Sequence, residues 1–177
     1  MDTAKKAARR LSGAEKIIEQ KLTILWNELP GWQRDNHYIT SGYRPASNSY
    51  NKSFRSIGYI HNETFNIWSH LIGALLALVG SGIIYSVLGP RYESATREDV
   101  LVFSCFFLGA IGCLGMSATF HTISNHSEEV AIWGNKLDYL GIVFLIWGSF
   151  VPALYYGFQS EPKLMKTYAT MVGTYYQ

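Results

Sequence analysis

The stretch FNIWSHLIGALLALVGSGIIYSVL, from Phe65 to Leu88, runs for 24 residues without an Asp, Glu, Lys or Arg, and His70 is its one imidazole. About 20 residues of helix cross the hydrocarbon core of a bilayer, so this run is long enough to span one. Two further runs have the same character: Val100 to Phe120 with 21 residues, and Tyr139 to Phe158 with 20, just after Asp138. A fourth begins at Tyr168. A buried helix of a soluble domain explains one such run, not three in succession. Helices are the expected form, because lipid offers the backbone no hydrogen bonds and a helix satisfies its own.

Composition agrees once the chain is divided. Of its 177 residues 48% are hydrophobic, 15% aromatic and 16% charged, where soluble domains average roughly 25% charged. Residues 1–63 hold ten Lys/Arg and six Asp/Glu, net +4, while residues 64–177 hold five and seven, net −2. The near-neutral mean hydropathy of +0.04 averages a basic head with an apolar body. That asymmetry excludes a soluble globule, a disordered chain and a general nucleic-acid binder.

The fold class expected is an all-α polytopic membrane protein: a head over 1–60 and a bundle over 61–177 with spans near 65–88, 100–120 and 139–158 and a fourth starting at 168. Tyr59, Trp68, Tyr85, Tyr92, Trp133, Tyr139, Tyr155 and Tyr156 sit near span ends, where amphipathic rings prefer the interface. Gly73 and Ala77, and Gly109, Gly112 and Gly115, offer small-residue seams for close helix approach. Pro152 is tolerable within such a bundle. Cys105 and Cys113 fall eight residues apart on one span, about 12 Å along its axis and beyond disulfide reach.

Ten of the fifteen Lys/Arg precede the first span, which places the N-terminus in the cytoplasm, the 89–99 loop outside and the 121–137 loop inside. The first apolar run starts too late and is too long for a secretory signal. Asn51-Lys52-Ser53 is a glycosylation sequon, and a glycan on Asn51 would overturn this orientation. In the head, Ile18, Leu22, Leu25 and Leu29 recur at helical spacing with Trp26 beside them, while Lys16, Glu19, Lys21 and Glu28 occupy other faces, so an amphipathic helix is expected over 14–29, ended by Pro30 and Gly31. It either docks on the bundle or lies on the anionic inner leaflet.

Ionisable residues at membrane depth are costly and mark function. Glu63, Asn66 and His70, at i, i+3 and i+7, share one face at the start of the first span. Ser117 and His121, at i and i+4, close the second, and Asp138 opens the third. Antiparallel packing brings all six to the cytoplasmic leaflet. A neutral His121 suits a metal, Asp138 suits a metal-bound water or the imidazole, and Ser117 suits that water or a substrate oxygen. The simpler alternative is that each side chain bonds a neighbouring helix. His37, His61 and His126 fall in loops and are expected to be solvated.

Ser41-Gly42-Tyr43-Arg44-Pro45, the run from Ile60 through Glu63, Asn66 and His70, and Ser117-Ala118-Thr119-Phe120-His121 together resemble the progestin and adipoQ receptor family, which includes adiponectin receptors, fungal zinc-homeostasis proteins and haemolysin III proteins. Glu63, Asn66 and His70 match its first motif, and Ser117, His121 and Asp138 its second. The resemblance implies a seven-helix bundle with its N-terminus inside and a zinc ion in the inner leaflet. It implies His121 as a direct ligand, Asp138 reaching through water and Ser117 nearby, these last two positioning water in any catalysis. It also implies a lipid or small lipid ligand, in a receptor or in a zinc-dependent hydrolase of ceramide-like lipids. The family's third motif, a His-x-x-x-His, has no match here, since no His follows His126. The expectation is therefore three full spans and the start of a fourth, an incomplete or inactive truncated form of that bundle.

Overall fold

Local signals in the chain set where each helix starts. In the computed structural model, residues 22–91 and 96–174 are described. They form five α-helices: α1 Tyr50–Arg55, α2 Thr64–Arg91, α3 Arg97–Ile123, α4 Glu128–Gly157 and α5 Pro162–Thr174. Single 3-10 turns lie at Trp26–Glu28, Gly31–Gln33 and Ser56–Gly58. No β-strand occurs among the described residues, and Ile24 and Tyr43 form an isolated antiparallel bridge. The expected all-helical class is the one observed.

Helices α2, α3 and α4 are long and apolar enough to cross a membrane. On α2, Leu75, Leu76, Leu78 and Ile83 are each more than half exposed. So much exposed aliphatic surface on one helix is untenable in water and needs lipid to cover it. The protein is an integral membrane protein.

Helix boundaries differ from the apolar runs, and the caps give the reason. Thr96 accepts from the Asp99 amide at 3.3 Å while Asp99 accepts from the Thr96 amide at 2.8 Å, a reciprocal box that starts α3 before Val100. Helix α4 begins at Glu128, not at Tyr139. Ser127 Oγ accepts from the Val130 amide at 3.5 Å, and Glu128 and Glu129 occupy the first turn, where carboxylates favour a helix. Asn135, Lys136 and Asp138 thus lie inside a helix, and the loop expected over 121–137 shrinks to the residues between Ile123 and Glu128. Apolar runs record lipid depth; caps record where a helix starts. Pro162 opens α5 at a position suited to proline, six residues before the expected Tyr168.

The head also departs from expectation. Residues 14–21 of the expected helix lie outside the described residues. From Ile24 onward the α-helix is absent. Ile24 exchanges backbone bonds with Tyr43 (2.7 and 3.1 Å), Leu25 is extended, and a 3-10 turn follows. The Tyr43 pairing takes the Ile24 amide and carbonyl that a helix would use.

By internal contact the chain falls into two units. One comprises the described residues up to Ile67 with Thr119–Asn135. The other comprises Trp68–Ala118 with the described residues from Lys136 onward. In the second, α3 and α4 approach along glycines. A Cβ at Gly109 would sit 2.8 Å from the Phe144 carbonyl oxygen, one at Gly141 2.9 Å from Cys113 Cα, and one at Gly148 2.5 Å from the Cys105 carbonyl oxygen. Gly73 packs on Leu114. Gly112 and Gly115, expected in the seam, face open space, and α4 supplies its own glycines instead. Tyr156 Oη donates to Asp99 at 2.5 Å and its ring packs on Phe103. Cys105 and Cys113 are free thiols, as expected.

Candidate functional site

The first unit holds a carboxylate and an imidazole brought together from distant sequence. Glu63 immediately precedes α2, and Asn66 stands three residues on, within its first turn. His121 lies in the last turn of α3. His121 Nδ1 meets Glu63 Oε2 at 2.7 Å, with the side chains only 18% and 15% exposed. Asn66 Nδ2 donates to the same oxygen at 2.8 Å and Asn62 Nδ2 donates to Oε1 at 2.9 Å, so both carboxylate oxygens are held. Burial by itself would raise the Glu63 carboxyl. The bonds from His121 and Asn66 and the charges of His121 and Arg44 outweigh it, and the group lies below its ordinary value. Glu63 is therefore ionised, and the network assigns the Nδ1 proton to His121 as donor. Any metal contact by that ring is through Nε2, the arrangement in which a carboxylate fixes the tautomer and raises ligand basicity.

Arg44 is the residue whose role the sequence does not announce. It is 2% exposed. Its guanidinium donates to the carbonyls of His121 (2.6 Å) and Thr122 (2.8 Å) and to the hydroxyls of Ser56 (2.8 Å) and Ser124 (3.0 Å). A cation on the last carbonyls of α3 caps that helix and complements its dipole. Burial lowers the Arg44 pKa to about 10, with Glu63 and Tyr59 opposing, so the group stays charged at neutral pH. The segment carrying it is pinned on both sides. Asn62 N–H donates to the Gly42 carbonyl at 2.8 Å, Ser47 N–H to Asn125 and Asn48 N–H to His126, each at 2.8 Å. Gly42 sits at φ +82°, a conformation that favours glycine over any side chain. One turn of α3 is thus held from its backbone by Arg44 and from its imidazole by Glu63.

His61, expected to be solvated, is 6% exposed. Its Nδ1 accepts from the Glu63 amide at 3.1 Å, and Thr64 Oγ1 accepts from the His61 amide at 2.8 Å, so the ring belongs to the turn that opens α2. Burial and the neighbouring Arg44 charge lower its pKa to about 4. An unfolded His titrates near 6.5, so between about pH 6.5 and 4 the unfolded chain binds the extra proton and acid favours unfolding. At pH 5 the expected loss relative to pH 7 is about 2 kcal/mol. His61→Asn keeps an acceptor for the Glu63 amide and removes the titration. Thermal unfolding in detergent from pH 7 to pH 5 should fall steeply for wild type and much less for this variant; equal slopes would contradict the assignment. His126 is half-buried with its ring 4.2 Å from that of Tyr50, and His37 is exposed as expected.

Beside the pair opens a pocket of about 540 Å³ lined by Trp32, Asp35, Tyr43, Glu63, His121 and Glu128 among others. Its lining mixes the carboxylates of Asp35, Glu63 and Glu128 with the Arg44 guanidinium and the aromatic faces of Trp32 and Tyr43.

Each unit holds part of the expected set of six residues. Glu63, Asn66 and His121 meet in the first unit. In the second, His70 Nδ1 meets Ser117 Oγ at 2.7 Å, joining α2 to α3. Asp138 is half-buried on α4, three turns in from Glu128 and not at a helix start.

Residues 58–175 match the family described as haemolysin-III related. The chain belongs to that family. It is 43% identical to the adiponectin receptor protein of Drosophila melanogaster over 159 residues, 86% of this chain and 35% of that one. It is 43% identical to progestin and adipoQ receptor-like protein 1 of Caenorhabditis elegans over 160 residues, 89% of this chain and 36% of that one. It is 40% identical to an ADIPOR-like receptor of Saccharomyces cerevisiae over 156 residues, 88% of this chain and 48% of that one. The chain therefore matches between about a third and a half of these relatives' length. The Glu63–His121 pair and Arg44 fall respectively within and just ahead of the family match.

Proposed function

We propose that this haemolysin-III related protein acts as a receptor-like membrane protein of the adiponectin-receptor type, with its N-terminus in the cytoplasm, linking a lipid ligand to zinc homeostasis through an inner-leaflet zinc ion. The observation that carries the metal reading is the 2.7 Å contact between Glu63 and Nδ1 of His121, a carboxylate–imidazole pair of the kind that orients a metal-ligating histidine. Among the described residues no three of His, Cys, Asp and Glu gather around one point. Zinc takes three or four protein ligands, so the described residues do not fit a zinc ion by themselves. They supply one ligand with its supporting carboxylate, and a complete site needs further donors. Asp138 acting through water is the further contributor in the family pattern. The receptor reading rests on the names of the relatives, and the orientation on the ten basic residues ahead of α2.

Glu63→Gln separates support from ligation. Gln keeps the shape and the Asn66 contact but loses the charge that polarises His121. Zinc affinity of the full-length protein, measured by chelator competition, should fall about 10–100-fold. Unchanged affinity would remove Glu63 from the metal site.

A further inference from the structure

Helix α1 and the turn after it are arranged inside out. Ser53 and Ser56 face inward at 0% exposure, and their hydroxyls are used internally, Ser56 by Arg44 at 2.8 Å and Ser53 by Ser47 at 3.1 Å. The large apolar residues face out instead: Tyr50 is 51% exposed, Phe54 54%, Ile60 71% and Phe65 80%. A water-facing helix shows the reverse order, polar out and apolar in. Between these outward rings stand Lys52 and Arg55, both exposed, and neither pairs with a carboxylate among the described residues. From Asn36 to Asn62 the sequence contains no Asp or Glu, so nothing within the segment neutralises them. Phe65 belongs to the first turn of α2, which is long and apolar enough to cross a bilayer, and the residues just ahead of it adjoin the start of that span.

We propose that the stretch from Tyr50 to Ile60, together with Phe65 at the start of α2, is an interfacial anchor that seats anionic phospholipid headgroups. Phe54, Ile60 and Phe65 enter the acyl boundary, while Lys52 and Arg55 extend to the phosphate and carboxylate layer. Exposed apolar area alone would suit any bilayer. The unpaired cations between the rings are what select an acidic one. Each basic side chain near an anionic surface contributes about fivefold to partitioning, so the pair contributes on the order of 25-fold, in a salt-sensitive way. This inference is independent of the metal reading: it uses neither Glu63 nor His121.

The test uses the full chain in nanodiscs of phosphatidylcholine, with and without a minor fraction of phosphatidylserine, read by amide hydrogen exchange of residues 51–59. Phosphatidylserine should slow exchange there by about fivefold or more. Raised salt should reverse the effect, and the Lys52→Gln/Arg55→Gln double variant should lose it. Amides of α3 report whether the variant keeps its fold. Because the salt reversal needs wild type alone, the test does not depend on that variant folding. Equal exchange in both lipids overturns the proposal and leaves the outward face to a protein partner. So does a phosphatidylserine effect insensitive to salt, or one kept in full by a folded double variant.

Discussion

Arg44→Ala is expected to cost about 4 kcal/mol of stability. The guanidinium makes four bonds in a buried position, two of them to the last carbonyls of α3. Alanine leaves the Thr122 carbonyl without that donor and opens a void where the guanidinium stood. A buried acceptor left unmade costs about 1–3 kcal/mol, and each lost bond to a charged group about 1.5–3 kcal/mol, though these do not add in full. Arg44→Lys should recover only about half of the loss, because an ammonium cannot reach two carbonyls and two hydroxyls with one planar fork. Thermal unfolding of the full chain in detergent measures both variants. Amide exchange around His121–Asn125 should rise in each, since the cap holds that turn. A change within about 0.5 kcal/mol for Arg44→Ala, the usual scale for a surface substitution, would show that Arg44 is not the cap.

Gly148→Ala should be nearly as damaging, for a steric reason. The added Cβ would lie 2.5 Å from the Cys105 carbonyl oxygen and 3.4 Å from Gly109 Cα. Both neighbours are backbone, so neither can rotate away, and α3 and α4 must separate locally. Overpacking costs about 1–3 kcal/mol and more where backbone must move, so about 3 kcal/mol is expected. In lipid the loss is not offset elsewhere, because helix association there depends on close packing. Gly112→Ala is the control. Nothing lies within 4 Å of its Cβ, so alanine should be neutral or stabilise by up to about 1 kcal/mol through helix propensity. Unfolding of the two variants side by side decides the matter. Equal effects would contradict the seam, and so would a harmless Gly148→Ala.

These two residues also show where sequence stops speaking. The spans were legible because an uncharged run of about 20 residues has one physical reading. The ends of α3 and α4 were not, because caps such as Thr96 with Asp99 and Ser127 sit among polar residues that resemble loops. Glycine within an apolar run carries no sign of which neighbour it faces. Gly109 is legible as a seam residue, whereas Gly141 and Gly148 are not, and Gly112, equally suited by sequence, makes no such contact. Arg44 has no periodicity around it, so neither its burial nor its targets could be read.

The site was legible in part. Helical spacing put Glu63 and Asn66 on one face, and they do act together. The same spacing puts His70 on that face and Ser117 one turn from His121. The structure pairs His70 with Ser117, and Glu63 with His121. Spacing fixes which residues share a face; the rotation of one helix against the next fixes which partners meet. The burial of His61 is illegible for a related reason, since a loop position in the sequence says nothing about exposure.

In the function proposed above, Glu63 presents His121 to a metal. Zinc content and zinc X-ray absorption of the full-length protein, wild type beside His121→Ala, test it most directly. The account predicts zinc with imidazole nitrogen at about 2.0–2.1 Å in wild type, and loss of bound zinc in a variant that remains folded by amide exchange of α4. Zinc retained in full by a folded His121→Ala, or a wild-type protein that takes up none, would contradict it.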